Sequence, residues 1–389
     1  MLNRGAPDVV VVGAGVVGAA CALSFTRSGH RVTVVDRGPV AGGTTGAGEG
    51  NLLVSDKVPG PELELALLSL RLWGEVAAHV EAVSGGDIEF ELKGGLVVAA
   101  DAAALTALRA LADRQRGPGL KAIEVPSVGL PDHEPCLARD LAGGVLYPQD
   151  AQLQPMVATA RLLQAARRRG AVVRTGVAVT GFVRSGDRIT GVRTTAGDLP
   201  AGFVVNAAGT WAGQVAALAG LDLPILPRRG VVLVTQPLPP LVRHKVYAAQ
   251  YVADVASDEA SLESSAVIEG TRAGTVLIGA SRERVGFRRG MPWPVVRRLA
   301  AQALRLFPAL GDAALLRTYS GLRPYCPDHL PVIGPDPRAP GLVHACGHEG
   351  AGVGLAAATG HLLAQVIAGE TPELDLAPFR PERFAEVVA

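Results

Sequence analysis

The sequence predicts an α/β chain in two interleaved parts, a Rossmann-like domain and an α+β domain on a mixed or antiparallel sheet. Three observations predict it. The chain opens with a glycine-patterned strand–turn–helix–strand, DVVVVGAGVVGAACALSFTRSGHRVTVVDR from Asp8 to Arg37. Two more strands running into glycine-rich turns, FVVNAAGTWA from Phe203 and LVHACGHEGAGVGLAAATG from Leu342, return much later. Between these segments GLVVAA, GVVLVTQ, SSAVIEG and TVLIGAS read as strands of a separate sheet, with helices over 63–80, 102–114 and 294–306. At 389 residues the chain is too long for one ordinary core, so two domains are expected.

The opening segment is the strongest signal. Val9 to Val12 form a short buried strand, and Gly13, Gly15 and Gly18 make a GxGxxG turn into a helix. Gly13 permits the tight turn, Gly15 lets the backbone approach a pyrophosphate, and Gly18 lets helix pack on strand. Val16 and Val17 begin the helix, whose free N–H groups face the phosphates. Asp36, followed by Arg37, ends the next strand, where its carboxylate accepts from both ribose hydroxyls and disfavours a 2′-phosphate. This much predicts a dinucleotide, either NAD or FAD.

Three further stretches favour FAD. In GGTTGAGEGN, Gly42 to Asn51, glycines alternate with Thr44, Thr45, Glu49 and Asn51, so backbone bends around a large ligand while polar groups face it. A flexible surface loop is the competing reading. In FVVNAAGTWA the strand runs into Ala207-Ala208-Gly209, with no side chain to obstruct a ligand. Before it, VAVTGFVRSGDRITGVRTTAGDLPAG, which contains Val179, reads as a strand meander. The last stretch turns through Gly347, Gly350 and Gly352, and a helix of small residues starts near Gly352-Val353 and ends near Ala368. Its N-terminus, aimed at a flavin, stabilises the charge that appears on reduction.

The bulk numbers exclude several classes. A hydrophobic share of 48%, a charged share of 19% and a net charge of +1 describe a globular protein, not one that tracks nucleic acid or anionic membrane. The cluster Arg167-Arg168-Arg169 suits a helix C-terminus, with phosphate binding as the alternative. No run has the length of a membrane span and no signal-type segment opens the chain. Cys21, Cys136, Cys326 and Cys346 lie far apart without a CxxC pair, which argues against a metal or iron–sulfur framework and for a reducing, cytoplasmic setting.

Taken in order, VVVVGAGVVGAACAL, GGTTGAGEGN, VVNAAGTWA with PILPRRG, GLRPYCPDHLPVIG and GHEGAGVGLAAATG resemble the flavin-dependent amine oxidoreductases of the D-amino-acid oxidase superfamily, over nearly the whole chain. GEGNLLVSDKVPGPELELAL, GTVLIGASRERVGF and RPYCPDHLPVIGP look most like β-type subunits of hydroxyproline and opine dehydrogenases. The resemblance implies FAD, bound non-covalently, and hydride transfer from an amino acid to flavin N5 with release of an imine. It implies an FAD domain over 1–56, 150–215 and 317–389 and a substrate domain over 57–149 and 216–316. It implies that Val179, Ala208 and Gly209 contact the cofactor, together with Gly50 and the residues already named.

The resemblance also assigns Arg323, the arginine of the RP dipeptide, to the substrate carboxylate. A guanidinium presents a planar fork to a carboxylate, where lysine has only a point charge. His348 is read as a contact to flavin or substrate, or as a structural histidine bonded to backbone. Glu49 is read as a ligand contact, and Tyr251 or Tyr247 as a substrate-facing tyrosine, with a core or surface tyrosine as the competing reading. Departures matter too. Gly321 stands where sarcosine oxidases carry the cysteine that tethers flavin, and Leu277 near their oxygen-activating lysine. Val267 replaces a glycine-oxidase tyrosine, so the segment 247–263 is expected to shape the pocket. The four lysines (57, 93, 121 and 245) lie outside the flavin motifs, which favours a dehydrogenase over an oxidase. Its electrons then pass to a partner subunit with an iron–sulfur centre or to a diffusible acceptor.

Overall fold

A computed structural model describes residues 8–117, 119–255, 261–288 and 290–388. Residues 256–260 of the expected pocket segment and 1–7 of the first domain lie outside the described residues.

Six strands form the first sheet, in the order Val332–Pro335, Leu342–Cys346, Phe203–Asn206, Val9–Val12, Val32–Asp36 and Val172–Thr175. All neighbours are parallel except the first pair. The VVVV strand is buried on both sides because a parallel sheet is covered on both faces. Val9 and Val11 pack into the core shared with helices Val16–Arg27, Pro155–Arg168 and Gly352–Ala368. Val10 and Val12 pack on Phe182, Ile189 and Val192 of the antiparallel meander Val179–Ser185, Arg188–Thr194 and Gly197–Pro200. Small residues let the central helices meet closely: Gly360 lies over the backbone of Ala20, where a Cβ would come within 2.8 Å of its carbonyl carbon.

The second sheet has eight strands, ordered Leu315–Tyr325, Leu226–Thr235, Val276–Arg282, Glu263–Gly270, Lys245–Ala248, Gly95–Ala99, Gly143–Tyr147 and Ile123–Pro126. It is mixed: Lys245–Ala248 runs parallel to Gly95–Ala99 and the other pairs are antiparallel. The four expected strands are all in it. The expected helices span Pro61–Ser84, Ala102–Arg116 and Trp293–Leu306, and Arg167 and Arg168 sit in the last turn of Pro155–Arg168.

Specific polar contacts join the two sheets where the site lies. Thr44 Oγ1 and Thr210 Oγ1 both donate to the Leu322 carbonyl, at 2.7 and 2.8 Å. Gly321 beside it leaves room for Ala47, whose Cβ would be 2.7 Å from a Cβ at position 321. On the far side, buried Asp150 accepts from the Val54 and Ser55 N–H groups at 2.8 and 3.2 Å, fixing the chain that follows Asn51.

Candidate active site

A cavity of about 620 Å³ opens between the sheets, within the usual range for a ligand site. At one end it is walled by Asp36, Arg37, Val179 and Trp211; Gly13, Gly15, Val16 and Val17 follow; Glu49, Tyr251, Arg323 and His348 close the other end. Thr44, Thr45, Asn51, Ala208 and Gly209 line it as well, as do Gly347, Gly350, Gly352 and Val353. Gly18 and Gly50 stand behind the wall. A Cβ on Gly18 would come within 3.1 Å of the Gly13 carbonyl carbon, and one on Gly50 within 3.0 Å of the Leu153 carbonyl carbon.

The first half fits FAD. Gly13 has φ +120°, and a Cβ there would lie 2.8 Å from the Ala207 carbonyl carbon. Gly15 opens to the cavity, where its Cβ would meet only Thr45 Oγ1 at 3.2 Å. The twelve-residue helix after it has no acidic residue in its first turn; its Val16 N–H donates to Thr45 Oγ1 at 3.1 Å, and the other N–H groups of its positive end are left for an anion. Asp36 accepts from the Ala14 N–H at 2.8 Å and the Gly38 N–H at 2.7 Å, which holds the carboxylate at the strand end. Arg37 lies 4.4 Å over the Trp211 ring, which stacks in turn on Phe287. At the other end, the helix Gly352–Ala368 likewise has no acid in its first turn, and Gly350 and Gly352 leave its N-terminus open to the cavity.

The far end is electrically unusual. Arg323 donates from Nη1 to the Ser281 carbonyl at 2.8 Å and has no carboxylate partner among the described residues. Burial, then the nearby Arg282, pulls its pKa down to about 10, still far above neutrality. Glu49 is buried, and its Oε1 has no hydrogen-bond partner among the described residues; burial raises its pKa. Tyr251 is also buried, and burial raises its phenol pKa, leaving a neutral hydroxyl at the cavity. Tyr247 is not in the wall; its hydroxyl meets Ser55 Oγ and its ring packs edge-on against Tyr251 at 5.2 Å.

His348 lines the cavity, but its Nε2 lies 3.0 Å from Thr359 Oγ1. That hydroxyl already donates to the Leu355 carbonyl at 2.9 Å, so Nε2 carries the proton and Nδ1 is an acceptor. Burial lowers the imidazole pKa to about 3, so the ring is neutral. The partner is a side-chain hydroxyl, not the backbone group expected of a structural histidine.

Sequence reading passed over Trp211, Gly230 and Arg282. Trp211 was within a quoted motif, and its aromatic ring beside a glycine turn was the available signal. Gly230 and Arg282 come from strands 52 positions apart, and only their pairing brings them to Arg323.

The family model described as FAD dependent oxidoreductase, DAO, matches residues 8–366. The hydrogen cyanide synthase subunit HcnC of Pseudomonas aeruginosa is 30% identical over 97% of this chain and 96% of that protein. The crystal structure of glycine oxidase from Geobacillus kaustophilus superposes with a TM-score of 0.89, at 29% identity, over 97% of this chain and 98% of that one. L-proline dehydrogenase from P. horikoshii shares the fold, with a TM-score of 0.88 at 23% identity over 98% of each chain. With the glycine cradle, the open helix ends and the two-sheet frame already in hand, the match assigns this chain to the DAO family of FAD-dependent oxidoreductases.

Proposed function

We propose that this chain oxidises the C–N bond of an amino acid or secondary amine acid (a D-amino acid, a proline- or hydroxyproline-like acid, or an N-substituted one). One observation carries the reading. Arg323 lines the cavity as a cation without a carboxylate partner among the described residues. A buried guanidinium is costly unless an anion completes it, and a substrate carboxylate fits its fork. FAD supplies, when bound, the acceptor for the hydride.

The chain's own residues then bind, orient and deprotonate. Arg323 fixes the carboxylate, so the Cα–H bond takes one direction in the cavity. The nitrogen must be neutral before Cα gives up a hydride, and Glu49 accepts its proton. Burial holds that carboxyl at a raised pKa, which makes it a stronger base than an exposed glutamate. Loss of a hydride from Cα and of a proton from nitrogen leaves an imine, which water hydrolyses. Neutral His348 and Tyr251 bound the same space without adding charge. Arg323 reaches the substrate end from the eight-stranded sheet, and Glu49 and His348 reach it from turns outside that sheet.

None of the four lysines lines this cavity, which supports a dehydrogenase with a separate electron acceptor. A second reading is a flavin-carrying β subunit, inactive without electron-accepting partners that hold an iron–sulfur centre. The end-to-end likeness to a protein named as a synthase subunit favours it. Unpaired cysteines and no helix long and apolar enough to cross a membrane, among the described residues, accord with a cytoplasmic setting.

The test is anaerobic. The FAD-loaded chain is mixed with cis-4-hydroxy-D-proline, D-proline, sarcosine, glycine and an opine while its visible spectrum is recorded. Bleaching by one of them supports the complete enzyme, and the rate at which colour returns in air separates oxidase from dehydrogenase. In Arg323→Ala, KM rises at least tenfold with flavin content retained; an unchanged KM removes the anchor.

A further inference from the structure

Behind the cavity, the eight-stranded sheet carries a buried ion pair that no step above uses. Lys245 and Glu269 sit on the neighbouring antiparallel strands Lys245–Ala248 and Glu263–Gly270, one residue beyond the register that places Val246 against Ile268, so they face each other. Lys245 Nζ donates to Glu269 Oε2, and the two residues are 1% and 3% exposed. Burying both charges of such a pair offsets much of what their attraction contributes, so stability alone does not account for it.

The pair is tied to Glu49. Glu269 Oε2 also accepts from the Gly50 N–H at 3.2 Å, and a Cβ on Gly50 would lie 3.1 Å from Glu269 Oε1. Val267, two residues from Glu269 on the same face of its strand, stands opposite Gly279. The Glu49 carboxyl lies against that glycine, where a Cβ would fall 2.7 Å from Oε1 and 2.8 Å from Oε2. Tyr319 donates to the Gly48 carbonyl at 3.2 Å. The turn is therefore anchored at Gly48 and Gly50, the residues on either side of Glu49.

Among the described residues, the charged groups facing Glu49 are Lys245, Glu269 and Arg323, and the phenols of Tyr251 and Tyr319 face it as well. Lys93 borders the pair but donates to the Gly270 carbonyl at 2.7 Å. Burial raises the Glu49 pKa; Lys245 and Arg323 oppose burial, and Glu269 reinforces it. A base must be ionised before it takes a proton, and burial by itself favours the protonated form. Once a substrate carboxylate occupies Arg323, Lys245 is the cation left to hold Glu49 ionised.

Resting on the reading of Glu49 as the base, we propose that Lys245 is a positioning residue for the reaction: held in place by Glu269, it keeps Glu49 ionised, so that Glu49 accepts the ammonium proton of the substrate. Glu269 fixes Lys245 and keeps the carboxyl from becoming too weak a base to retain that proton.

Two titrations test this. One is the acid limb of kcat/KM against pH, with whichever substrate bleaches the flavin. The other is the Glu49 carboxyl stretch in the infrared spectrum of the substrate-free, FAD-loaded chain, identified by its loss in Glu49→Gln. In Glu269→Gln, which keeps an acceptor for the Gly50 N–H, both midpoints should fall by about one pH unit. In Lys245→Met both should rise by about as much, with kcat/KM near neutral pH down roughly tenfold and restored at higher pH. Combining the two substitutions leaves no unpaired charge, in case Lys245→Met does not fold, and should place both midpoints above those of Glu269→Gln. An infrared midpoint that stays put in Glu269→Gln, or moves the same way there as in Lys245→Met, overturns the proposal. An acid limb lost in Glu49→Gln but unmoved by Glu269→Gln overturns it too and leaves Glu49 as the base. An acid limb that survives in Glu49→Gln, with the infrared midpoints still in the expected order, removes the base reading and leaves Lys245 as the group that sets the ionisation of Glu49.

Discussion

Gly230 gives Arg323 its place. The two lie on adjacent antiparallel strands, and a Cβ at position 230 would fall 2.7 Å from Cζ and 2.8 Å from Nη2 of the arginine. Atoms do not approach that closely, so the planar fork lies flat across a strand because one residue of that strand has no side chain. Gly230 sits in the cavity wall opposite Gly321, which makes the same allowance for Ala47.

On the reading of Arg323 as the carboxylate anchor, Gly230→Ala acts on substrate binding, although alanine is a modest change. The new methyl group must push the guanidinium off the Ser281 carbonyl. Steady-state kinetics should give a KM at least tenfold higher, with flavin content retained because position 230 lies away from the glycine turn. A normal KM would mean that Arg323 does not hold the substrate in the pose its neighbours impose.

The glycines of the opening turn separate fold from cofactor binding. Gly13→Ala combines φ +120° with a clash into the Ala207 backbone, so soluble folded protein should be lost. Gly15→Ala meets only the Thr45 hydroxyl, at 3.2 Å, a side-chain atom that can give way slightly. It should fold and bind FAD at least tenfold more weakly, measured by fluorescence titration of the apoprotein. Unchanged affinity in Gly15→Ala would remove the phosphates from that turn.

Local motifs were legible, and cross-strand neighbours were not. GxGxxG with Asp36 carries its own geometry, because strand, turn and helix are contiguous and each glycine has a steric reason. The helix from Gly352 to Ala368 could be bounded from its glycines alone. The family motif pointed to Arg323, and that residue lines the cavity. Arg282 and Gly230 were not legible, since their meaning depends on the register between strands distant in sequence, and alternation alone does not say which strands pair. Tyr247 and Tyr251 looked equivalent in the sequence. A short helix after Ala248 turns Tyr251 to the cavity, whereas Tyr247 stays on its strand and bonds to Ser55.

Flavin attachment follows from the cysteines near the site. Gly321 offers no thiol, and Cys346, which lines the cavity, is buried with its pKa pushed up to about 12. A neutral thiol is a poor nucleophile, so no covalent bond should form. Acid precipitation should leave a colourless pellet and a yellow supernatant with the spectrum of free FAD. A coloured pellet would assign Cys346 the reactivity denied to it here.

The pH dependence of Glu49 has a fixed sign. Below its ordinary value of 4.5 the carboxyl is protonated in both folded and unfolded chains and contributes nothing to stability. As pH rises past that value the unfolded chain releases the proton, while burial keeps it on the folded one. Stability therefore falls until the raised folded pKa is passed. Glu49→Gln removes this loss: its melting temperature should match wild type near pH 4 and exceed it at pH 8. Activity should move the other way. Without a group to accept the ammonium proton, kcat/KM should drop by about a hundredfold. The acid limb of the pH profile that belongs to Glu49 should disappear with it. A Glu49→Gln enzyme that keeps both its rate and its acid limb would leave the proton to solvent and make Glu49 a wall residue.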